Sequence, residues 1–131
     1  MQKTPIHQLN QWDPSDRVLR EDFNSDNRKI EAAIEGVPKV LVGSYRGTGD
    51  NNRQNHIPLG VRPKAVYITP AGDCITQNTV LITPDAPIYK NQVYLGQIED
   101  NGFAVATTTA GGYAVHPSLN DNMDYLYLAI V

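Results

Sequence analysis

The spacing of apolar residues changes twice along the 131-residue chain. Residues 1–12 are mostly polar and show no period, so we predict an extended N-terminal arm there. From Phe23 onward, apolar residues recur every three or four positions, which predicts a helix with one narrow apolar face. From residue 37 the period becomes two, as in β-strands with one buried face. The chain is therefore predicted to consist of an arm (1–12), a helical segment (13–36) and a β domain (37–131).

Capping residues predict where the helical segment begins and ends. Asp13 followed by Pro14 is a strong helix start, because Asp can cap a helix and Pro suits the first helical position. Asp22 is a second candidate start, so the segment can also be two short helices. Gly36 followed by Pro38 predicts the end. A helix of about 14 residues from Asp22 would be marginal alone in water, so it must pack on another surface.

The apolar face of this helix is formed by Phe23, Asn27, Ile30 and Ile34, which are spaced as in a coiled-coil seam. One interpretation is an oligomer interface in which a buried Asn27 fixes the register of the copies. The other is an amphipathic helix folded back on its own sheet. So short a seam cannot hold an oligomer by itself, so self-association would require the β domain to share the interface.

Strands in the β domain are predicted from alternating apolar and polar residues, with turn clusters between them. The last strand has apolar residues on both faces, so we predict a central strand that is covered on each side. Many short strands separated by turns favour an antiparallel β-sandwich. The predicted fold is thus mainly β, an antiparallel β-sandwich preceded by a short α-helical oligomerisation segment. In order, the predicted strands cover residues 40–45, 57–61, 64–69, 80–82, 92–98, 102–107 and 124–131.

Charge and composition argue against several classes of protein. The net charge is −3 and there is no basic stripe, so nucleic acid is not an expected partner. The single cysteine, Cys74, cannot form a disulfide within the chain and is interpreted as a small buried hydrophobe. The longest apolar run, residues 125–131, is too short to span a bilayer, and residues 1–11 lack the apolar core of a signal peptide. We therefore expect synthesis in a cytoplasm and no membrane insertion.

The three histidines do not form a metal-binding pattern. His7, His56 and His116 are far apart in sequence, and Cys74 has no nearby histidine or cysteine. Metal sites usually place two ligands within four or so residues of each other. We expect no metal and no cofactor, and we predict that each histidine is solvated or hydrogen-bonded.

Catalytic signatures are also absent from the sequence. It has no Gly-x-Ser-x-Gly, no phosphate-binding glycine loop and no His-Glu-x-x-His, so no catalytic residues are expected. Glu99 with Asp100, and Asp121 with Asp124, could in principle serve glycoside hydrolysis in a cell-wall carbohydrate-active enzyme. Both pairs lie in turn-like segments, where solvated acids are the ordinary explanation.

Three tyrosines are candidates for sugar binding. Tyr89, Tyr94 and Tyr113 lie in or next to predicted loops, and Asn91 is close in sequence to the first two. Sugar sites combine an aromatic face with amide or carboxylate hydrogen bonds. The more usual role of such rings is to pack the edge of a sandwich, and that alternative stays open.

Five segments of the chain, taken in order, resemble motifs of a known protein family: residues 22–34, 43–49, 57–66, 101–105, and 119–120 with 125–130. Residues 22–34 resemble a helix that recurs in tail and tail-fibre proteins of phages of Gram-positive bacteria. The β region is similar to the C-terminal domain of tail-fibre and appendage proteins, although Val61 stands where that family usually has an aromatic ring. The similar segments of the β region are Gly43-Ser44-Tyr45-Arg46-Gly47-Thr48-Gly49, residues 57–66, Asn101-Gly102-Phe103-Ala104-Val105, and Leu119-Asn120 with residues 125–130.

The resemblance implies a structural role in the virion tail and no catalytic residues. It implies a homo-oligomer, commonly a trimer, that contacts other tail proteins and is made in the cytoplasm of the bacterial host. It also implies adhesion to a host surface, for which cell-wall glycan is the expected ligand. A passive connector that binds only other virion proteins is the alternative.

Overall fold

The computed structural model describes residues 1–72, 79–90, 92–110 and 112–131. The chain forms two compact units, Met1–Pro38 and Lys39–Val131. The predicted burial of Cys74 lies outside the described residues.

The first unit contains a short hairpin and a helix: β1 (Gln2–Lys3), β2 (Asn10–Gln11) and α1 (Arg20–Glu35). β1 and β2 pair antiparallel, so the prediction of an extended arm at residues 1–12 is wrong. The chain turns back because Thr4 and Leu9 bond to each other. The Thr4 amide donates to the Leu9 carbonyl oxygen at 2.8 Å, and the Leu9 amide donates to the Thr4 hydroxyl oxygen at 2.9 Å.

The helix begins later than Asp13, and the predicted start there is wrong. Asp13 and Asp16 instead form a closed turn. The Asp16 amide donates to the Asp13 carbonyl oxygen at 2.9 Å, and the Asp16 carboxylate accepts the Asp13 amide at 2.8 Å, which lowers the pKa of Asp16. The carboxylate that would favour a first helical turn is therefore used within the turn. The predicted end is confirmed, since the Gly36 amide donates to the Ala32 carbonyl oxygen at 3.1 Å.

The second unit is built from strands that form two four-stranded antiparallel sheets and a two-stranded ribbon. Within the described residues its strands are β3 (Val40–Arg46), β4 (Asn55–Pro58), β5 (Ala65–Pro70), β6 (Val80–Ile82), β7 (Ile88–Lys90), β8 (Val93–Glu99), β9 (Gly102–Val105), β10 (Thr109–Ala110), β11 (Tyr113–Ala114) and β12 (Asp124–Ile130).

The strand order is β3-β12-β5-β6 in the first sheet and β4-β9-β8-β7 in the second. Each predicted strand has a counterpart, with ends shifted by a few residues. β7 and the β10–β11 ribbon were not predicted, because they are short and carry little alternation.

The core lies between the two sheets, which confirms the antiparallel sandwich. The buried Phe103 ring of β9 meets Tyr45 of β3 at a centroid distance of 5.8 Å and Tyr127 of β12 at 5.3 Å. These contacts join strands of different sheets. The aliphatic part of the core is supplied by Ile57, Val66, Ile68, Ile82, Val105, Leu119 and Ala129.

β12 is central, as predicted, because it pairs with β3 on one side and β5 on the other. Tyr125 and Ala129 on its inner face are buried. Leu126 and Leu128 on its outer face are 47% and 39% exposed, so the prediction that both faces are covered is wrong for the single chain. A two-layer sandwich covers only one face of each sheet, which leaves the second apolar face open.

Membrane spans and metal clusters were also sought in the part of the chain that the structure describes. There, no helix combines the length and apolarity that a bilayer crossing requires. Nor does that part bring together three or more His, Cys, Asp or Glu side chains that could hold a metal ion.

Candidate functional site

The predicted seam forms an exposed stripe along α1. Phe23, Ile30 and Ile34 are 51%, 43% and 60% exposed, and no residue of the helix is buried. Asn27 is exposed as well, so its predicted burial is absent from the single chain. A helix that leaves its apolar stripe in water gains little from its own chain, so the stripe is available to a partner.

The hairpin is fastened to one flank of the helix beside the seam. The Asp26 carboxylate accepts the backbone amide of Asn10 at 3.1 Å and its side-chain amide at 3.1 Å. The Lys29 ammonium donates to the Gln8 carbonyl oxygen at 2.7 Å. Polar bonds of this kind hold the hairpin in place while leaving the apolar stripe uncovered.

Trp12 and an apolar groove enlarge the seam at its two ends. The Trp12 ring stacks on Phe23 with a centroid distance of 5.7 Å. A groove of about 290 Å³ lies between the hairpin and the C-terminal half of the helix. Sequence reasoning missed both features, because it treated residues 1–12 as a free polar arm. The groove is lined by His7, Leu9, Ile30, Ala33, Ile34 and Val37.

Tyr89 and Tyr94 form an exposed pair at the edge of the second sheet. They are cross-strand neighbours on β7 and β8, with ring centroids 5.1 Å apart and planes at 54°. The rings are 54% and 44% exposed. They pack on each other yet keep apolar ring surface in water, as stacking on a sugar requires.

The other two predicted glycan-binding residues are Asn91 and Tyr113. Asn91 lies outside the described residues. Tyr113 is on the β10–β11 ribbon and is 80% exposed. Among the described residues, the ring contacts of the structure do not include Tyr113.

A pocket of about 170 Å³ on the second sheet was not predicted from the sequence. In it, Nδ1 of His56 lies 2.8 Å from the Glu99 carboxylate, which confirms that this histidine is hydrogen-bonded. Ile57, Pro58 and Asn101 line the rest of the pocket. His56 and Glu99 are 43 residues apart, so only the pairing of β4, β9 and β8 brings them together.

The acids considered for glycoside hydrolysis each contact another side chain. Glu99 bonds His56, as above. Asp100 contacts Arg62 at 2.7 Å and Asp124 contacts Arg46 at 3.3 Å. Asp121 accepts from the Ser118 hydroxyl at 2.6 Å and from the Thr107 hydroxyl at 3.2 Å. The two ion pairs with arginine are ordinary for acids at a protein surface. Asp121 differs, because Ser118 and Thr107 are buried.

Two segments of the β domain, residues 43–49 and 119–120, are held together by hydrogen bonds, and we call this arrangement the latch. The Tyr45 hydroxyl donates to the Leu119 carbonyl oxygen at 2.7 Å. The Asn120 side chain accepts the Thr48 amide at 2.9 Å and donates to the Thr48 hydroxyl oxygen at 2.8 Å. Burial, and secondarily Tyr125, raise the pKa of Tyr45, so this phenol stays neutral. These residues therefore hold the end of β3 to the segment before β12.

Relationship to known proteins was sought at the level of family, curated sequence and solved structure. None of the three comparisons gives a match for this chain.

Proposed function

We propose that this chain is a non-enzymatic structural protein of a bacteriophage tail fibre, tail tip or baseplate appendage. The first unit joins copies of the chain, and the β-sandwich presents a surface that recognises host cell-wall glycan. Several copies on one appendage would give weak single sites a high avidity. The resemblance of residues 22–34 and of the β region to tail proteins supports this role.

The exposed seam of α1 is the observation on which the proposal mainly depends. Completing the burial of a half-exposed Phe or Ile contributes about 1 kcal/mol, so Phe23, Ile30 and Ile34 together contribute about 3 kcal/mol per copy. Association costs about 4–15 kcal/mol in lost translation and rotation. The seam therefore favours self-association, but a stable oligomer needs a second contact in the β domain.

The mass of the protein in solution tests this assembly. We expect wild-type chain to have a multiple of the 14.5 kDa monomer mass, with three copies the expected number. Ile30→Asp should shift the mass toward the monomer, because a carboxylate in an apolar seam would lose its hydration. Light scattering over a range of concentrations measures this. An Ile30→Asp protein with wild-type mass would remove the seam from the interface.

Ala32→Asp is the matched control for that variant. Ala32 is exposed and lies on the opposite side of the helix from Ile30. It receives the same carboxylate and a larger penalty in helix propensity than Ile30→Asp, because Ala is the best helix former. We expect wild-type mass for this variant, so a loss of mass in both variants would indicate damage to the helix rather than to the seam.

Glycan recognition predicts a second result at Tyr89 and Tyr94. Replacing both by Ala should weaken binding to purified host cell walls by about tenfold, since each ring adds roughly 0.7 kcal/mol of stacking. A pull-down with wall preparations measures this, and the mass of the variant should not change. Tyr113→Ala separates the two candidate surfaces, because a loss there alone would move the site to the β10–β11 ribbon. Failure of the intact oligomer to bind any host wall would contradict the recognition role.

The groove between the hairpin and α1 favours a connector as the second candidate. An apolar groove of about 290 Å³ can take a short segment of another tail protein. A connector of this kind would be monomeric when purified alone and would gain mass only with its partner, so the same scattering experiment distinguishes the two roles.

A further inference from the structure

The sheet β3-β12-β5-β6 has one face turned away from the core, and the middle of that face is apolar in every strand. The strand register places Val42, Leu128, Tyr67 and Leu81 side by side across the four strands. These side chains are 76%, 39%, 48% and 59% exposed in that order. We name these four residues the outer row.

The rest of this face is neutral. Val40 and Leu126 extend the outer row along β3 and β12, and they are 55% and 47% exposed. At one end of the sheet, Arg46 and Asp124 neutralise each other with an N–O distance of 3.3 Å. No other outward position of the four strands, within the described residues, has a charged side chain. A neutral apolar face is suited to another neutral apolar face, not to a charged ligand.

The area of the face is that of an interface. From their exposed fractions, the outer row together with Val40 and Leu126 offers on the order of 500 Å² of side-chain surface. A standard protein interface buries about 800 Å² per partner, of which roughly 450 Å² is apolar. The apolar area available on this face is therefore enough for a stable contact with one more protein.

We infer that the outer faces of this sheet pack against one another in copies of this chain, with the outer row at the centre of the contact. Further copies of this chain are the occupant, because each brings a face of the same size, neutrality and apolar character. In a trimer, the three equivalent faces would meet around the three-fold axis. The inference rests on the proposed assembly through α1. Only residues 36–39 connect α1 to β3, so helices that associate would tether these sheets at a high effective concentration. The face also provides the second contact that the seam requires.

Side-chain footprinting with hydroxyl radicals tests whether the face is covered. Labelling of Tyr67 and Leu81 is compared between the wild-type oligomer and the full-length Ile30→Asp variant at the same concentration. We expect severalfold less labelling of both residues in the oligomer. Tyr89 on the other sheet is the internal control, and its labelling should be the same in the two samples.

A pair of substitutions on the edge strands gives an independent readout. Val42→Lys combined with Leu81→Lys puts like charges on the facing surfaces and touches no core residue. We expect a lower mass in light scattering than for wild type. Val61→Lys, the same kind of change at an exposed valine between β4 and β5, should keep the wild-type mass.

The outcomes separate this inference from the proposed assembly through α1. A smaller mass for the lysine pair but not for Ile30→Asp would support the face and remove the seam. An oligomer with fully labelled Tyr67 and Leu81 would overturn the inference and leave the seam intact. A wild-type monomer would overturn both, whether or not its sheet face is labelled.

Discussion

Tyr45 shows how a single residue links distant parts of the sandwich. Its hydroxyl donates to the Leu119 carbonyl oxygen 74 residues away, and its ring stacks on Tyr125 with centroids 5.0 Å apart. Burial is the main cause of the raised pKa of Tyr45, and the second is Tyr125. A neutral phenol can donate this hydrogen bond, whereas a phenolate cannot, so the latch depends on the protonated form.

The raised pKa of Tyr45 predicts a loss of stability in alkali. Below the ordinary tyrosine pKa of 10.0, both the folded and the unfolded chain keep the proton, and the contribution to stability is complete. Above it, only the unfolded chain loses the proton, so the free energy of unfolding falls by about 1.4 kcal/mol per pH unit. Urea unfolding at about pH 9 to 11 measures this slope.

Tyr45→Phe is the comparison for that slope. The variant should be about 1 kcal/mol less stable near neutral pH, because it leaves the Leu119 carbonyl oxygen without this hydrogen bond. Its stability should then fall less steeply with pH than that of the wild type. Equal slopes for the two proteins would show that Tyr45 does not titrate in the unfolding reaction.

At the scale of elements, the sequence predicted the end of α1 but not its start, and it missed the N-terminal hairpin. The end of α1 was predicted because Gly36 and Pro38 act on their own neighbourhood. The start was wrong because Asp13 and Asp16 bond to each other in a turn. The same residues could also begin a helix, and the sequence pattern does not distinguish the turn from the helix start. The hairpin of residues 1–12 was missed because its turn has no glycine or asparagine.

In the candidate site, features that depend on residues close in sequence could be predicted, and features that depend on strand pairing could not. The seam on α1 could be predicted, because residues three or four apart on a helix share a face. Tyr89 and Tyr94 could be named, because both lie in or next to predicted loops. Their contact could not be predicted, because it depends on the pairing of β7 with β8. The pocket at His56 and Glu99 could not, since it depends on the register of three strands.

Gly47 follows the last residue of β3, where the chain lies close to the segment before β12. We therefore expect a single methyl group added at Gly47 to have a large effect on stability. A Cβ at this position would lie 1.8 Å from the Asp121 carbonyl oxygen, so backbone would have to move. We expect Gly47→Ala to destabilise the fold by about 3 kcal/mol, measured by thermal or urea unfolding.

Gly36→Ala is the matched control for Gly47→Ala. At Gly36, an added Cβ would have its nearest neighbours at 3.5 Å, which is ordinary contact, and the backbone is right-handed helical. Its stability should stay within about 0.5 kcal/mol of wild type. Similar stabilities for the two variants would mean that the approach of Gly47 to Asp121 is not a constraint on the fold.

For the whole molecule, hydrophobic alternation predicted the sandwich, but strand order and exposure could not be predicted. β3 pairs with β12 at the other end of the chain, and no local signal in either strand specifies that partner. Apolar residues on both faces of β12 indicated two covered faces, yet the single chain covers one. An apolar face that its own chain leaves open is a typical property of a subunit, and the exposed stripe on α1 has the same meaning.

Immunogold electron microscopy tests the proposed role on intact phage particles purified from the organism whose genome carries this gene. Antibodies raised against the full-length protein would be applied to purified particles, with particles blocked by excess free protein as the control. The proposed role predicts gold at the tail, on its fibres, its tip or its baseplate. Gold on the capsid, or protein that remains only in the soluble lysate while particles stay unlabelled, would contradict it.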